Sequence, residues 1–174
     1  FDTELILAAN PDVIFISPFK RGGYEPIKDT GITLVPHLRH KELNPLGQAE
    51  WVKFIGMFIG KEREANEVFA GIEQRYNDLK EKVQTLPSNT VDGSLPTVTS
   101  GEMHYGTRHA VGGKNYLAQI FRDAGAEYVV KDDETAGEDM EFEKMYSLAA
   151  NADYWRILNS FPGKFSYEAL KASE

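Results

Sequence analysis

The four histidines of the chain, together with nearby arginine, glutamate and tyrosine residues, are best suited to binding a ligand. They lie in two predicted loops, 37–44 and 100–113, each of which follows a predicted strand. Loops on a rigid scaffold are where binding residues concentrate, and the Arg fork matches a carboxylate. We therefore expect a site with cationic and aromatic walls, which suits an anionic, partly apolar ligand. The predicted ligand-binding residues are His37, Arg39, His40, Glu102, His104, Tyr105, Arg108 and His109.

Other interpretations of these residues stay open at this point. Imidazole is a good ligand for Fe, Zn and Cu, so the four histidines also fit a receptor for Zn or Mn ions. Solvated loop side chains that bind nothing are a third interpretation. We assign none of these residues as a direct metal ligand.

No residue pattern in the chain carries catalysis. The chain has no cysteine, which excludes thiolate metal sites and cysteine nucleophiles, and it has no Gly-x-Ser-x-Gly motif. The Gly-rich run 106–115 resembles a phosphate-binding loop, but Asn115 stands where such a loop needs Ser or Thr. We therefore expect a binding protein with no catalytic residue and no cofactor, and we keep a nucleotide- or metal-cluster-binding enzyme as the alternative.

The elements that must position these loops alternate between strands and helices, as in an α/β fold with parallel sheets. Helices are predicted to end at Ala9 and to cover Glu25–Asp29, Leu46–Ile59, Asn115–Asp123 and Phe142–Ala150. Strands are predicted at Val13–Ser17, Ile32–Pro36, Thr97–Thr99, Tyr128–Val130 and Tyr154–Leu158. Two long segments, Ser100–Gly113 and the acidic Lys131–Asp139, are predicted to be loops.

A long helix over Lys61–Val83 is the clearest single prediction. Its apolar residues recur at spacings of four and three, which places them on one narrow stripe: Ala65, Phe69, Ile72, Tyr76, Leu79 and Val83. Nearly everything else on the helix is charged. Such a helix suits a rod between two bodies, and an amphipathic surface helix of one domain is the alternative.

The segments on either side of this helix repeat one another. Glu4–Ile16 and Glu143–Ile157 both run from a Glu through a helix to Ala-Ala-Asn, then to an Asp and an apolar strand. Because the turn letters match as well as the element order, we interpret the pair as an internal duplication. The predicted division is 1–60 as part of an N-terminal lobe, 61–86 as a connecting helix and 87–174 as part of a C-terminal lobe.

The composition is that of an ordinary globular chain. Of 174 residues, 41% are hydrophobic and 26% charged, and the net charge is −8. This acidic balance argues against a nucleic-acid partner, which needs clustered Lys and Arg. No apolar run reaches the length of a membrane helix.

With the duplicated units, the long helix and the Pro-Leu-x-x-Ala-Glu-Trp run at Pro45–Trp51, the chain resembles periplasmic substrate-binding proteins of ABC importers. The resemblance extends to the Asp-Ala-Gly-Ala-Glu-Tyr run at Asp123–Tyr128, and it is greatest to the group for iron-siderophore complexes, haem and vitamin B12. It implies two Rossmann-like lobes joined by one helix, with the ligand in the cleft between them. It also implies that the segment lacks the first strand of the fold, its cleft loop and the C-terminal helices.

The resemblance further implies a function, a location and a partner. One surface Glu in each lobe, here Glu4 and Glu143, would dock on Arg residues of the membrane permease, since carboxylates form charge-assisted pairs with Arg. The protein would be a monomer, periplasmic or anchored as a lipoprotein, and would deliver a ferric siderophore, haem or cobalamin to the permease. Which metal complex it carries is left open.

Overall fold

The computed structural model describes residues 2–17, 23–87, 93–104, 107–132, 137–157 and 165–171. At 102–104, 107–109, 137–138 and 170 it describes the backbone alone. Contacts between Cα atoms divide the chain into two compact units, 1–40 and 41–174, which are treated separately below. The predicted three-part division of lobes and connecting helix stays a prediction.

The first unit contains two helices and one parallel strand pair, in the predicted order. The elements are α1 (Thr3–Ala9), β1 (Val13–Ile16), α2 (Glu25–Lys28) and β2 (Thr33–Pro36). The Asp2 carboxylate caps α1 by accepting a hydrogen bond from the Leu5 N–H at 3.1 Å. Asn10 ends the helix in the left-handed conformation, with φ of 44°. β1 and β2 pair in parallel with Val13 opposite Thr33, so the predicted strand, crossover and strand are confirmed.

Two long helices open the second unit, α3 (Pro45–Phe58) and α4 (Glu62–Gln84). Asn44 caps α3 by accepting a hydrogen bond from the Gly47 N–H at 2.7 Å. The helices come so close that a Cβ added at Gly56 would lie 2.7 Å from the Cβ of Ala65. The predicted long helix is confirmed. Of its predicted apolar stripe, Ala65 and Phe69 are buried, whereas Leu79 is 63% exposed.

Six strands and three short helices complete the described part of the second unit. The strands are β3 (Thr97–Ser100), β4 (Glu102–His104), β5 (Thr107–Val111), β6 (Glu127–Tyr128), β7 (Gly137–Glu141) and β8 (Tyr154–Arg156). The helices are α5 (Tyr116–Asp123), α6 (Phe142–Ala149) and α7 (Tyr167–Lys171), the last of which was not predicted. A parallel sheet has the order β6-β3-β8, which confirms the predicted α/β class with parallel sheets.

The predicted loop Ser100–Gly113 is wrong over much of its length, and the predicted loop Lys131–Asp139 is wrong at its end, where β7 begins at Gly137. β4 and β5 pair antiparallel, and β7 pairs antiparallel with the other side of β5. β7 carries three acidic residues, which made it look solvated. What makes it a strand is its partner β5, which begins 30 residues earlier, at Thr107, and pairs with it through the backbone.

One hydrophobic core supports both sheets of the second unit. Ala110 of β5 and Met140 of β7 are buried together with Ala118 of α5, Tyr128 of β6 and Met145 of α6. The Phe121 ring packs on the Tyr128 ring with centroids 5.3 Å apart. The antiparallel sheet that carries half of the predicted site is therefore backed by the same core as the parallel sheet.

Candidate functional site

The predicted site residues of the first unit follow the carboxyl end of β2. The His37 N–H donates to the Ile16 carbonyl at 3.0 Å, which extends the parallel pairing by one residue. The His37 ring meets the Phe15 ring edge-on, with centroids 6.4 Å apart. Arg39 is exposed and His40 half-buried, and both belong to a 3-10 turn, Arg39–Lys41. His37 is thus partly packed, whereas Arg39 is open to a ligand.

The predicted residues of the second unit lie on the β4–β5 hairpin. The backbone register places Glu102 opposite His109 and His104 opposite Thr107, and Arg108 lies between Met103 of β4 and Met140 of β7. Tyr105 lies outside the described residues. Glu102 and His109 are therefore opposite each other on two paired strands, and not on a loop as predicted.

A second group at the carboxyl ends of β3 and β8 was not predicted. The Trp155 indole N–H donates to the Gly101 carbonyl at 2.9 Å, and Arg156 Nη1 donates to Ser100 Oγ at 3.3 Å. Ser100 is fully buried. Trp155 is half-buried. No signal in the sequence indicated Arg156, because the predicted strand continued to Leu158. In the structure Arg156 is the last residue of β8, and ligands of open α/β sheets bind beyond the carboxyl ends of the strands.

Glu4 and Glu143 occupy matching places in their helices. Each is the second residue of its helix and is exposed, Glu4 on α1 and Glu143 on α6. The match is not complete, because Glu143 stands ten residues before Asp153 while Glu4 stands eight before Asp12. Both carboxylates are accessible to a partner, and each also stabilises its helix through the macrodipole.

A polar cluster holds α4 against α5. The Asp123 carboxylate accepts from the Tyr76 hydroxyl at 2.6 Å and the Gln119 amide at 2.8 Å, and it pairs with Lys80 Nζ at 2.9 Å. Burial would raise the pKa of Asp123, but the hydrogen bonds from Tyr76, Lys80 and Gln119 outweigh it and lower that pKa. Burial and the hydrogen bond to Asp123 raise the pKa of the Tyr76 hydroxyl. The cluster therefore contains a neutral phenol and an ionised carboxylate at neutral pH.

The described part of the second unit has two grooves of about 520 Å³ each, and residues 130–132 contribute to the lining of both. Thr97, Met140, Lys144 and Leu148 line one of them, and Gly113, Lys114, Arg122 and Tyr128 line the other. Over the described ranges, no three His, Asp or Glu side chains are grouped to hold a metal ion, and no helix is long and apolar enough to cross a membrane.

Comparison with known proteins adds a family and several relatives. The family model described as periplasmic binding protein matches residues 1–174. An uncharacterized lipoprotein of Methanocaldococcus jannaschii is 28% identical over 186 residues, covering 97% of this chain and 42% of the relative. The chain thus spans less than half of that relative's length.

Two solved structures share the fold at low sequence identity. A periplasmic heme-binding protein from Pseudomonas aeruginosa has a TM-score of 0.72 and 16% identity, over 99% of this chain and 59% of that one. An ABC-type Fe³⁺-hydroxamate transport system from Saccharomonospora viridis has a TM-score of 0.68 and 17% identity, over 98% of this chain and 56% of that one. At this identity the likeness extends to the fold alone.

Proposed function

Because the chain belongs to the periplasmic binding protein family, whose model matches it from end to end, we propose that it is part of the solute-binding component of an ABC importer for an iron complex. The cargo is a haem or a ferric siderophore, with cobalamin as the third candidate. The family match is the observation that carries this proposal. The fold is shared with proteins described as binding heme and as transporting an Fe³⁺-hydroxamate, which supports the choice of cargo.

The residues at the strand ends fit a cargo of this kind. Arg39 is exposed beside two histidines after β2, and the β4–β5 hairpin supplies two more histidines and Arg108. Guanidinium forks bind carboxylates and other planar oxyanions, and imidazole binds iron. The proposed ligand residues are those predicted from the sequence: His37, Arg39, His40, Glu102, His104, Tyr105, Arg108 and His109.

The function is tested by titrating the full-length protein with haemin, a ferric trihydroxamate and cobalamin while following tryptophan fluorescence and ligand absorbance. Saturable binding of one of them at one site per chain is the expected result. Parallel titrations with ATP and with Zn²⁺ and Mn²⁺ address the enzyme and metal-ion interpretations. Binding of a nucleotide or a bare ion, with none of the three complexes bound, would overturn the proposal.

We further propose that Glu4 and Glu143 dock on the permease. Replacing both by Gln is expected to leave cargo affinity unchanged and to lower cargo uptake through the reconstituted importer by about tenfold, since each lost charge-assisted pair weakens docking. The control is Glu73→Gln with Glu81→Gln, which changes the charge equally on exposed positions of α4. Equal uptake by both double variants would rule out the docking role.

The remaining features follow from the family and from its named relatives. An extracytoplasmic location is supported by the family itself and by the lipoprotein of M. jannaschii. A binding protein of this kind performs no chemistry on its cargo, and we propose none here. We also propose that it works as a monomer, which light scattering of the full-length protein tests directly.

A further inference from the structure

The strands β3 and β8 end side by side, and their last residues, Ser100 and Arg156, are register partners. Ser100 is fully buried and Arg156 is exposed. Arg156 Nη1 donates to Ser100 Oγ at 3.3 Å. A buried neutral hydroxyl therefore anchors one corner of an exposed guanidinium at the carboxyl edge of the parallel sheet.

The backbone around this pair is also fixed. The Gly101 N–H donates to the Arg156 carbonyl at 3.4 Å, and the Gly101 carbonyl accepts from the Trp155 indole at 2.9 Å. The φ of Gly101 is 136°, a backbone conformation that residues with a side chain rarely adopt. Two hydrogen bonds across the strands thus fix the backbone at the point where Arg156 emerges.

The guanidinium has donors left over. It carries five N–H groups, and among the described side chains its one hydrogen-bond partner is Ser100 Oγ. Arg63, by contrast, faces the Glu67 carboxylate, and Arg122 donates to Gln119 and to the Gly113 carbonyl. In a chain of net charge −8, an arginine at a strand end with no carboxylate partner among the described side chains is suited to an anion from outside.

We infer that Arg156, held by Ser100, is a subsite for a carboxylate carried by the cargo. This inference rests on the proposed function and deepens it, because it adds a residue outside the predicted loops and selects among iron complexes. Arg forms paired, directional hydrogen bonds with a carboxylate. The subsite therefore favours haem, with its two propionates, or a carboxylate siderophore over a neutral ferric trihydroxamate.

The test compares haemin with its dimethyl ester, which lacks free carboxylates, on the full-length protein. Arg156→Ala is expected to weaken haemin binding about tenfold or more and to leave binding of the ester unchanged, as loss of a charge-assisted pair requires. Arg156→Lys is expected to restore part of the affinity, because the charge remains without the fork. The control is Arg75→Ala, which removes the same charge from an exposed position of α4.

A second measurement separates this inference from the proposed function. The side-chain NMR signal of Arg156 is followed while citrate, a simple tricarboxylate, is added to the full-length protein. Movement of that signal supports the subsite even when no iron complex binds, which would overturn the proposed function alone. Haemin binding that is equal in the wild type and Arg156→Ala, or a signal that citrate leaves unmoved, would overturn the subsite and leave the proposed function standing.

Discussion

The two helix-strand units that share the letters Ala-Ala-Asn and a following Asp are fastened to their surroundings in different ways. In the second unit, α6 buries Met145 at 1% exposure, and the Asp153 carboxylate accepts from both the backbone N–H and the hydroxyl of Thr97, each at 2.8 Å. In the first unit, α1 buries no residue, and its Leu5 is 68% exposed. Similar sequences thus give similar elements with unlike packing.

The difference comes from the neighbouring strand. β8 lies beside β3, which presents Thr97 to Asp153. β1 lies beside β2, and there the Asp12 backbone carbonyl accepts from the Thr33 N–H at 3.4 Å, while the described residues place no hydrogen bond on the Asp12 carboxylate. A repeated motif therefore specifies a helix and a strand, whereas the neighbours that the chain supplies decide how tightly the unit is held.

The largest expected difference between the two units is in their buried side chains. Met145→Ala is expected to lower the free energy of unfolding by about 3 kcal/mol, because it removes a fully buried side chain and leaves a cavity. Leu5→Ala on α1 is expected to change it by less than about 0.5 kcal/mol. Urea denaturation of the full-length protein, followed by circular dichroism, measures both. Equal losses would show that α1 is as well packed as α6.

The next largest effect concerns how α4 is fastened within the second unit. Asp123→Asn is expected to lower the free energy of unfolding by about 2 kcal/mol, since it weakens hydrogen bonds to a charged group and leaves Lys80 unpaired. Asn66→Ala, at an exposed position of the same helix, serves as the control. A loss no greater than that of the control would mean that the cluster does not fasten α4.

The pH dependence of this loss follows from the lowered pKa of Asp123. Burial opposes the shift, but the hydrogen bonds from Tyr76, Lys80 and Gln119 prevail. The folded carboxyl thus binds its proton less tightly than the unfolded one, so its contribution is present above the unfolded pKa, near 3.8, and is lost as pH falls through the folded pKa. The difference between wild type and Asp123→Asn is therefore expected to shrink below about pH 4.

A smaller effect is expected from the hydrogen bonds between Asp153 and Thr97, and the matching residue Asp12 allows a direct comparison of the two units. Asp153→Ala is expected to cost about 1 kcal/mol, because its hydrogen bonds to Thr97 are exposed to water. Asp12→Ala is expected to be neutral within about 0.5 kcal/mol. Thr97→Val, which keeps the branched shape but removes the hydroxyl, is expected to cost part of the Asp153 loss. A cost for Asp12→Ala as large as that for Asp153→Ala would contradict the comparison.

These contrasts also show what the sequence could and could not predict. The helices α1 to α6 were predictable, because periodicity, the Asn44 cap and the turn after Asn10 are local signals. The strands β5 and β7 were not, since β7 is acidic and becomes a strand by pairing with a segment well before it in the chain. Its pairing is a property of the tertiary structure.

The candidate site also contains residues that were predictable from the sequence and one that was not. The sequence was enough to predict His37 and Arg39 as ligand residues, because they closely follow a predicted strand. It did not identify Arg156, whose meaning depends on Ser100, 56 residues away. Residues that act through a partner on a distant strand carry no local signal, so the structure is needed to find them.

The smallest expected effect concerns the turns after α1 and α6, and here the larger cost is expected in the first unit. Asn10, the C-cap of α1, has a φ of 44°. The C-cap of α6, Ala150, has a right-handed conformation, and the φ of Asn151 is not positive. The left-handed conformation is unfavourable for residues that have a Cβ, and it is less unfavourable for Asn than for Ala. Asn10→Ala is therefore expected to cost about 0.5 kcal/mol and Asn10→Gly to cost nothing, with Asn151→Ala neutral. A loss for Asn151→Ala that matches the loss for Asn10→Ala, measured by the same denaturation, would show that the two turns are constrained alike.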